Sequence, residues 1–423
     1  MMAQAGLSVP RTFTSVPDDT QAELTAVRYC PAEHTSMPDT SASESTGCNT
    51  RETHPTVCHV IHALGVGGAE VLVDQMVRRL ADRFRLIVAV LDEIGELGQL
   101  LQSDGFVVEH MHREAGIDRA CAKRLHQLVR RENVSLLHAH QYTPFFQAML
   151  SRGLWGRTPV LFTEHGRHFP DLPSWKRSIV NRLLLRKRDR LAGVGGSVRQ
   201  ALIDNEGLPE KRVEVVYNGV DLQDLATAPP TARVAIRSEF GFQDDDFIVV
   251  QVARLHALKD HQTALRTIDR ARREFPKIRL LIAGDGEERS SIETTISDLD
   301  LHGNVVLAGT RDDVSSLLAA ADAFLLTSIS EGIPLTVIEA MAADRPVVAT
   351  NVGGLAEMID DGRSGYLRDA GDDLALASCL VSLATDPEAC SRIGFAGRLT
   401  AQKRFSLDQM LNSYGRIYEE MTC

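Results

Sequence analysis

Two glutamates eight positions apart, Glu331 and Glu339, flank the predicted start of a helix. Pro334 suits the first helical turn, because its missing N–H costs nothing there and its fixed φ is already helical. The helix is therefore predicted to begin just after Gly332 and to continue through the apolar run 335–343. Unpaired N–H groups at that helix start suit an anion such as a diphosphate, and carboxylates beside it would accept hydrogen bonds from hydroxyl groups. This chemistry fits a sugar carried on a nucleoside diphosphate.

The residues around this pair favour a binding site over an ordinary surface helix. Residues 324–328 predict a buried strand that ends two residues before Glu331, and residues 346–350 predict the next strand. A strand, a turn, a helix and a second strand form a βαβ unit, whose ligands lie at the carboxyl ends of the strands. Glu331 is predicted at such an end. The alternative, a surface helix with a solvated Glu339, stays open.

Strand and helix patterns alternate from Thr56 onward and are interrupted once, by a Pro-containing segment. This alternation predicts an α/β fold with two Rossmann-like, doubly wound domains that face a central cleft. The first residues are rich in Ser, Thr, Pro and acidic residues and lack the apolar core of a signal peptide. The predicted organisation is a disordered leader at 1–55, an acceptor-binding domain at 56–225, a linker at 226–232 and a donor-binding domain at 233–423, whose last helix could return to the first domain.

The composition is that of a globular protein in a reducing compartment. Of 423 residues, 43% are hydrophobic and 24% are charged, and no run reaches the ~18 consecutive apolar residues that a membrane helix needs. Seven cysteines form neither a disulfide framework nor a Cys-x-x-Cys metal pattern. The net charge of −11 argues against general nucleic-acid binding. The sequence therefore predicts a cytoplasmic protein that does not bind nucleic acid.

Glycines and cations follow other predicted strands. Gly67 and Gly68 open a helix after the first strand, where a side chain would keep a phosphate away from the backbone N–H groups. Arg254 and Lys259 follow the first strand of the second half and could stabilise a leaving diphosphate without a metal. Ordinary alternatives are tight packing for the glycines and solvated surface for the cations.

Histidines and aspartates raise the question of a metal. His138, His140 and His165 have spacing that metal ligands use, but no Cys or carboxylate set accompanies them at zinc spacing. His165 is a better candidate for contact with a sugar hydroxyl, and His138 also fits a hydrogen-bonded core residue. The acidic run 244–246 precedes a strand, on the wrong side of the sheet for a ligand, and is interpreted as a solvated turn. No metal and no cofactor are predicted.

Together these motifs resemble glycosyltransferase family 4, the retaining GT-B enzymes also called group 1 glycosyltransferases, over about residues 57–421. The segment from Glu331 to Glu339 is the most specific part, and Gly353-Gly354 before a helix supports it. The sequence departs from the usual pattern at Ala253 and Asp260, where the family has glycine.

The resemblance implies a nucleotide-diphosphate-sugar donor held mainly by the second domain and a glycan or lipid-linked acceptor held by the first. It implies that Arg254 and Lys259 hold the diphosphate, Glu331 the donor sugar and Glu339 the ribose. His165 would contact a sugar hydroxyl near the reacting carbon. The predicted donor site also contains Gly67, Gly68, Gly284, Gly286, Arg311, Gly332, Ile333, Pro334 and Leu335, with Gly284, Gly286 and Arg311 forming a wall around the base and ribose.

The predicted activity is transfer of a hexose-type sugar with retention of anomeric configuration, in surface or exopolysaccharide biosynthesis. Two alternatives remain: a nucleotide-sugar epimerase on the same architecture, and a non-catalytic protein that binds nucleotide sugars or glycans.

A basic segment on this acidic chain suggests a further partner. Residues 174–190 contain seven basic residues and one acid, interleaved with apolar residues at near-helical spacing. One interpretation is an ordinary surface helix, and the other is peripheral attachment to an anionic membrane surface, at the inner face of the membrane.

Overall fold

The computed structural model describes five stretches of the chain: 54–65, 67–153, 156–166, 171–222 and 229–423. The predicted leader at 1–55 lies outside the described residues except for its last two positions. The predicted linker at 226–232 lies partly outside them.

Among the described residues, the first sheet contains seven strands: β1 (Thr56–Ala63), β2 (Arg85–Glu93), β3 (Val107–His110), β4 (Val134–His140), β5 (Val160–Glu164), β6 (Arg190–Gly193) and β7 (Val213–Val215). All are parallel, in the order β3-β2-β1-β4-β5-β6-β7. The helices between them are α1 (Gly68–Arg79), α2 (Gly95–Ser103), α3 (Arg119–Arg131), α4 (Tyr142–Ser151), α5 (Trp175–Leu184) and α6 (Gly196–Glu206). Central strands are nearly continuous apolar runs, as expected for a parallel sheet with helices on both faces.

The second sheet contains β8 (Phe247–Val252), β9 (Ile278–Ala283), β10 (Val305–Gly309), β11 (Ala323–Leu326), β12 (Val347–Thr350) and β13 (Tyr366–Arg368), all parallel, in the order β10-β9-β8-β11-β12-β13. Its described helices are α7 (Pro230–Glu239), α8 (His261–Glu274), α9 (Arg289–Asp298), α10 (Val314–Ala320), α11 (Leu335–Ala342), α12 (Leu355–Met358), α13 (Asp373–Thr385), α14 (Pro387–Arg404) and α15 (Leu407–Thr422).

The strand order reverses at one place in each sheet, between β1 and β4 and between β8 and β11. Ligands of such sheets bind outside the carboxyl ends of the strands at these switch points. Two parallel, doubly wound halves confirm the predicted α/β, GT-B fold class, and the exact domain boundaries stay a prediction.

Helix α15 crosses from the second half and packs on the first sheet. Its path begins beside Val220, whose carbonyl accepts a hydrogen bond from Leu407 N at 2.9 Å. The helix buries Tyr414 and Tyr418 in the same apolar core as α1 and the first strands. Each large side chain buried this way contributes about 1.5–3 kcal/mol. The end of the chain therefore completes the core beneath the first switch point. Among the described residues, no helix is both long and apolar enough to cross a bilayer.

Candidate active site

Lys259 and Glu331 form an ion pair at the carboxyl end of the second sheet. Lys259 Nζ lies 2.6 Å from Glu331 Oε1, and the same oxygen accepts a hydrogen bond from Ser328 Oγ at 2.6 Å. The Glu331 side chain is 8% exposed and that of Lys259 is 27% exposed. Because they follow the neighbouring strands β8 and β11, the switch point brings them together. Lys259, predicted to bind the diphosphate, and Glu331, predicted to bind the sugar, are therefore in direct contact.

The loop that carries Lys259 is fixed by residues that the sequence analysis did not select. Thr327 Oγ1 donates to the carbonyls of Lys259 at 3.1 Å and Asp260 at 2.9 Å. Asp260 has a φ of +43°, a left-handed conformation that glycine adopts readily and that aspartate tolerates. Its carboxylate also caps α8 by accepting from Thr263 N at 3.2 Å. Aspartate therefore holds at this position a left-handed conformation that glycine also adopts.

Arg254 leaves the same loop but is far less constrained. Its side chain is 67% exposed and makes a long contact of 3.4 Å with Glu287. The pKa of Glu287 is lowered by a backbone hydrogen bond and by the nearby Arg254 and His256. Such a weak, exposed pairing leaves the guanidinium able to turn toward an anion.

Gly284 and Gly286 support this loop through close backbone packing. A Cβ atom at Gly284 would lie 2.0 Å from Ala253 O, and one at Gly286 would lie 2.4 Å from Leu255 O. Their φ values, +147° and +155°, also favour glycine. The structure therefore gives them a definite role in shaping the loop around Arg254, and their contact with a base or ribose stays a prediction.

Arg311 is engaged by carboxylates of the protein itself. Its guanidinium contacts Glu239 at 2.5 Å and Asp313 at 2.8 Å. Hydrogen bonds to Asp313 and Glu239 raise the pKa of Arg311 above its usual range. This network links α7 to the start of α10, and a role for Arg311 beside the ribose stays a prediction.

The starts of α1 and α11 face each other across the cleft. Gly67 and Pro334 are the N-cap residues, and neither helix start has a side-chain cap. A Cβ atom on Gly68 would lie 4.0 Å from Leu335 Cδ1. The two helix starts therefore lie close to each other, and helix starts are regions that favour an anion.

Helix α11 begins later than predicted. Pro334 has a ψ of 128°, which is extended, so it precedes the first turn and does not belong to it. The first helical bond runs from Ile338 N to Pro334 O. The segment from Gly332 to Pro334 instead contacts the first half.

Glu70 lies over the start of α1. A Cβ atom on Gly67 would be 2.4 Å from Glu70 Oε2, so the carboxylate covers the N-cap residue. Burial raises the pKa of Glu70. An anion that approaches this helix start would have to displace a flexible carboxylate.

Glu339 lies in α11 and is half-buried. Burial raises the pKa of its carboxyl to about 7. Among the described residues, no side chain donates a hydrogen bond to this carboxyl. It therefore has both the environment and the free hydrogen-bonding capacity to take hydroxyl groups of a ligand.

The Glu331 loop docks against the first half of the protein. A Cβ atom on Gly332 would lie 2.6 Å from the carbonyl oxygen of His165, and Asn218 Nδ2 donates to Ile333 O at 2.9 Å. From the other side, a Cβ atom on Gly353 would lie 1.9 Å from Glu331 O. Glycine is therefore required at both positions, and His165 is brought beside the Glu331 loop.

Glu357 forms a second contact between the two halves, which the sequence motifs did not indicate. Its carboxylate accepts hydrogen bonds from the backbone N–H of Gly196 at 2.7 Å and Ser197 at 2.8 Å, so it caps α6. Tyr217 OH donates to the same carboxylate at 3.0 Å. Its position three residues after Gly353-Gly354 was the one sequence feature that could have drawn attention to Glu357. The residues that it contacts could not be predicted, because Ser197 lies 160 residues earlier in the chain.

Four histidines cluster where β1, β4 and β5 lie side by side: His59 is in β1, His138 and His140 are in β4, and His165 follows β5. His59 Nδ1 lies 2.9 Å from His140 Nε2, and His140 Nδ1 lies 2.9 Å from His165 Nε2. His138 instead bonds to Tyr418 OH at 2.6 Å and to Thr163 Oγ1 at 2.9 Å. Burial lowers the pKa of His59 to about 3 and that of His165 to about 4, so these rings are neutral near pH 7.

The acidic run 244–246 forms the predicted turn with Asp244 and Asp245 exposed, but Asp246 differs from the prediction. Asp246 is buried and pairs with Arg279 at 3.0 Å, and Asp245 pairs with Lys277. These pairs hold the amino edge of the second sheet, because the strands begin there.

Family models match most of the described chain. The model of glycosyl transferases group 1 matches residues 233–400, and that of glycosyltransferase family 4 matches residues 66–224. Putative glycosyltransferase EpsD of Bacillus subtilis (strain 168) is 31% identical over 62% of this chain and 69% of its own length. N-acetyl-alpha-D-glucosaminyl L-malate synthase of Bacillus anthracis is 28% identical over 72% of this chain and 79% of its own length.

Solved structures show the same fold. A glycosyltransferase from Rickettsia africae superimposes with a TM-score of 0.77 at 22% identity, covering 87% of this chain and 98% of its own. Anabaena HepE in complex with UDP gives a TM-score of 0.77 at 21% identity, covering 86% and 100%. Fold and sequence likeness together define a GT-B glycosyltransferase. The chain belongs to glycosyltransferase family 4, the group 1 glycosyltransferases, and is an enzyme; this replaces the epimerase and binding-protein alternatives.

Proposed function

We propose that the enzyme transfers a hexose-type sugar from a nucleotide-diphosphate-sugar donor to a glycan or lipid-linked acceptor, with retention of anomeric configuration, in surface or exopolysaccharide biosynthesis. The observation that carries this proposal is the Lys259–Glu331 pair beside the two facing helix starts. One cation and two sets of N–H groups suit a diphosphate, and the adjoining carboxylate suits the hydroxyls of the attached sugar.

The second half supplies the other donor contacts in this proposal. Glu339, with its free carboxyl group, would bind the ribose hydroxyls, and Arg254 would turn from Glu287 to the diphosphate. Anabaena HepE, which shares the fold, has been solved with UDP. A uridine diphosphate sugar is therefore the first donor class to test.

The chemistry follows from where charge develops. As the bond between the anomeric carbon and the phosphate oxygen breaks, negative charge grows on the diphosphate and positive charge on the sugar ring. Lys259 and the two helix starts lie at the site proposed for the diphosphate, and they would stabilise this charge once Glu70 has moved away from the start of α1. Glu331 lies on the sugar side of the same pair and favours the developing positive charge.

Retention is proposed because the base that the described part of the first half places beside the Glu331 loop, His165, is a weak one. His165 has a pKa of about 4, so it accepts a proton poorly from an acceptor hydroxyl. The departing phosphate oxygen can take that proton instead, on the face that the phosphate leaves. The acceptor oxygen then bonds to the anomeric carbon from this same face.

A panel of nucleotide sugars tests the donor proposal. Full-length protein is melted with each donor, and a ligand at 100 times its Kd should stabilise by roughly 2.7 kcal/mol. The donor that stabilises most should also release its nucleoside diphosphate during turnover. If no donor shifts the melting temperature and none is cleaved, the proposal is wrong.

We also propose that the enzyme is cytoplasmic and attaches peripherally to an anionic membrane through α5. Trp175, Ile179 and Leu183 recur every fourth residue, so they share one helix face, and they are 70%, 50% and 78% exposed. Lys176 and Arg182 flank this apolar face and are exposed. The opposite face packs on the protein, where Asn181 is buried. Apolar side chains bordered by cations fit a lipid surface.

The structure changes which basic residues can serve this attachment. Helix α5 ends at Leu184, so the last basic residues of the segment lie beyond it. Arg177 pairs with Glu206 and Arg190 with Glu420, while Arg186 bonds to backbone carbonyls. The exposed cations are Lys176, Arg182, Lys187 and Arg188. A lipid-linked acceptor would then meet the first half of the enzyme at the membrane.

A further inference from the structure

The segment that follows β11 ties the Lys259 loop to the neighbouring strand. Thr327 comes directly after β11 and is fully buried, and its Oγ1 lies 3.1 Å from the carbonyl oxygen of Lys259 and 2.9 Å from that of Asp260. Two residues further on, Ile329 N donates a hydrogen bond to Leu258 O at 2.9 Å. One segment therefore holds the backbone carbonyls of three consecutive loop residues.

The chemistry of the groups fixes the direction of the Thr327 hydrogen bonds. Carbonyl oxygens only accept, so the hydroxyl is the donor and shares its single hydrogen between the two carbonyls. The lone pairs of the hydroxyl oxygen stay available, and Gln251 Nε2 on β8 lies 3.4 Å from it. Thr327 and Gln251 are both fully buried, so solvent does not reach this hydroxyl.

The backbone conformation of the loop shows why these bonds matter. Lys259 ends a short 3-10 turn, Ala257–Lys259, and Asp260 follows it with a φ of +43°. Left-handed conformations are unfavourable for residues with a Cβ atom, although aspartate tolerates them better than most. The two carbonyls that Thr327 contacts belong to the peptide groups on either side of the Asp260 Cα atom. The hydroxyl therefore spans the left-handed residue that follows the lysine.

The same segment also holds the carboxylate that Lys259 contacts. Ser328 Oγ donates to Glu331 Oε1 at 2.6 Å, and Lys259 Nζ lies 2.6 Å from this same oxygen. Ser328 is fully buried, and its carbonyl accepts a hydrogen bond from Thr350 Oγ1 at 2.5 Å. Two consecutive residues thus hold both members of the ion pair, Thr327 through the backbone of the lysine and Ser328 through the carboxylate of the glutamate.

We infer that Thr327 is a positioning residue for Lys259: its hydroxyl holds the backbone on both sides of Asp260 and so directs the lysine ammonium group to the proposed diphosphate site. This inference rests on the proposed role of Lys259 at the diphosphate. A lysine side chain is long and flexible, so the direction in which it leaves the backbone limits where its charge can lie. Displacement of a catalytic group by about 1 Å can cost on the order of 100-fold in rate.

Substitutions at Thr327 test the role of the hydroxyl. Thr327→Val removes the hydroxyl, keeps the branched shape of the side chain and should lower kcat with the accepted donor by about 10–100-fold. Thr327→Ser keeps a hydroxyl and should recover most of this loss. Thr267→Val is the matched control, because Thr267 in α8 is equally buried but its hydroxyl has no hydrogen-bond partner among the described residues.

Folding is checked separately from activity. The melting temperature of each variant is measured, and kcat is compared at a temperature at which all of them are folded. Thr327→Ala takes the place of the valine variant if that variant does not fold. Failure of Thr327→Ser to recover kcat, or an equal loss in Thr267→Val, would overturn the inference.

A double-mutant cycle shows whether the effect passes through Lys259. If Thr327 acts by placing the ammonium group, Thr327→Val should have little further effect on kcat in a protein that already carries Lys259→Ala. Independent effects would instead multiply, so that the double variant would show the product of the two single losses. That outcome would also overturn the positioning role.

The single variant Lys259→Ala separates this inference from the proposed function. An unchanged kcat in Lys259→Ala would show that the lysine does not stabilise the leaving diphosphate, and the inference would fall together with that part of the proposed function. A large loss in Lys259→Ala with a normal kcat in Thr327→Val would leave the role of Lys259 intact and overturn that of Thr327 alone.

Discussion

At the scale of single residues, Lys259 and Glu331 act as one unit. We expect Lys259→Ala to lower kcat by about two to three orders of magnitude, because one preorganised charge-stabilising group is lost. Steady-state kinetics with the accepted donor measures this. Lys277→Ala is the matched control, since it breaks an ion pair with Asp245 at the opposite edge of the same sheet. Equal effects of the two variants would contradict the assignment of Lys259 to the donor.

Glu339 gives the enzyme a pH-dependent stability. Burial raises its pKa from 4.5 to about 7, so the folded state binds a proton more tightly than the unfolded state between these values. The free energy of unfolding therefore falls as pH rises from about 4.5 to 7, by up to about 3 kcal/mol, and the loss is complete above pH 7. Glu339→Gln should be more stable than wild type at pH 8, and the gain should shrink toward pH 5.

Thermal unfolding from pH 5 to 8 checks this, with Glu388→Gln, a carboxylate in the first turn of α14, as the control. Parallel pH profiles for wild type and Glu339→Gln would show that Glu339 is not buried in its uncharged form. The same substitution should weaken donor binding if Glu339 holds the ribose.

Individual residues of the proposed site could be predicted from the sequence where they belong to a recognisable motif. Glu331, Lys259 and Glu339 were selected because a strand, a loop and a helix start could be recognised around them. Their ion pair, the Ser328 hydrogen bond and the raised pKa of Glu339 could not, because these depend on distances between segments. Asp260 shows the same limit: its left-handed φ explains the missing glycine only once the backbone is known.

At the scale of elements, Glu357 joins α12 to the start of α6. Glu357→Ala should lower the free energy of unfolding by about 0.5–2 kcal/mol, the usual effect of losing a helix cap, and should also lower kcat/KM because the cleft loses a contact between its halves. Asp118→Ala is the control, since Asp118 caps α3 with two backbone N–H groups within the first half.

Chemical denaturation and kinetics together separate the two effects. Asp118→Ala should lose stability and keep its kcat/KM. If Glu357→Ala also kept normal kcat/KM, the contact would stabilise a helix without influencing the cleft.

Helix α5 predicts binding to anionic vesicles. Replacing Arg182, Lys187 and Arg188 by Ser should weaken binding about 100-fold, at ~1 kcal/mol for each basic residue, and raised salt should weaken the wild type similarly. Trp175→Ser with Leu183→Ser should also weaken binding. Leu374→Ser, at an exposed leucine beside Asp372 and Asp373, is the control. Co-sedimentation that none of these changes affected would exclude α5 as the attachment surface.

Strands and helices with a strong hydrophobic pattern could be predicted from the sequence, whereas short, partly exposed ones could not. The central strands are long apolar runs, so their positions follow from composition alone. Strands β3 and β13 are short and partly exposed at sheet edges, and they gave no comparable signal. Helix α11 starts after Pro334 because Pro334 is extended and the two residues before it contact the first half, which local propensity cannot show.

At the scale of the whole molecule, the two halves meet through contacts that involve backbone atoms. Gly332 against His165 and Glu357 against the start of α6 place the loop of one sheet on the other sheet. The alternating pattern of strands and helices predicted both sheets. The contacts between the sheets could not be predicted, because they join residues that are far apart in the sequence. These contacts bring His165 on one half beside the Glu331 loop on the other, and in the proposed site the two residues hold one sugar between them.

The stereochemistry of transfer tests the central claim most directly. The enzyme is incubated with the α-linked nucleotide sugar that stabilises it best, and ¹H NMR records the anomeric coupling of the first-formed sugar product before mutarotation, with water as acceptor if no better one is known. A site in which Lys259 holds the leaving diphosphate and the weak base His165 lies beside the sugar predicts an α-configured product. A β-configured first product would contradict the account, because it would require attack from the opposite face.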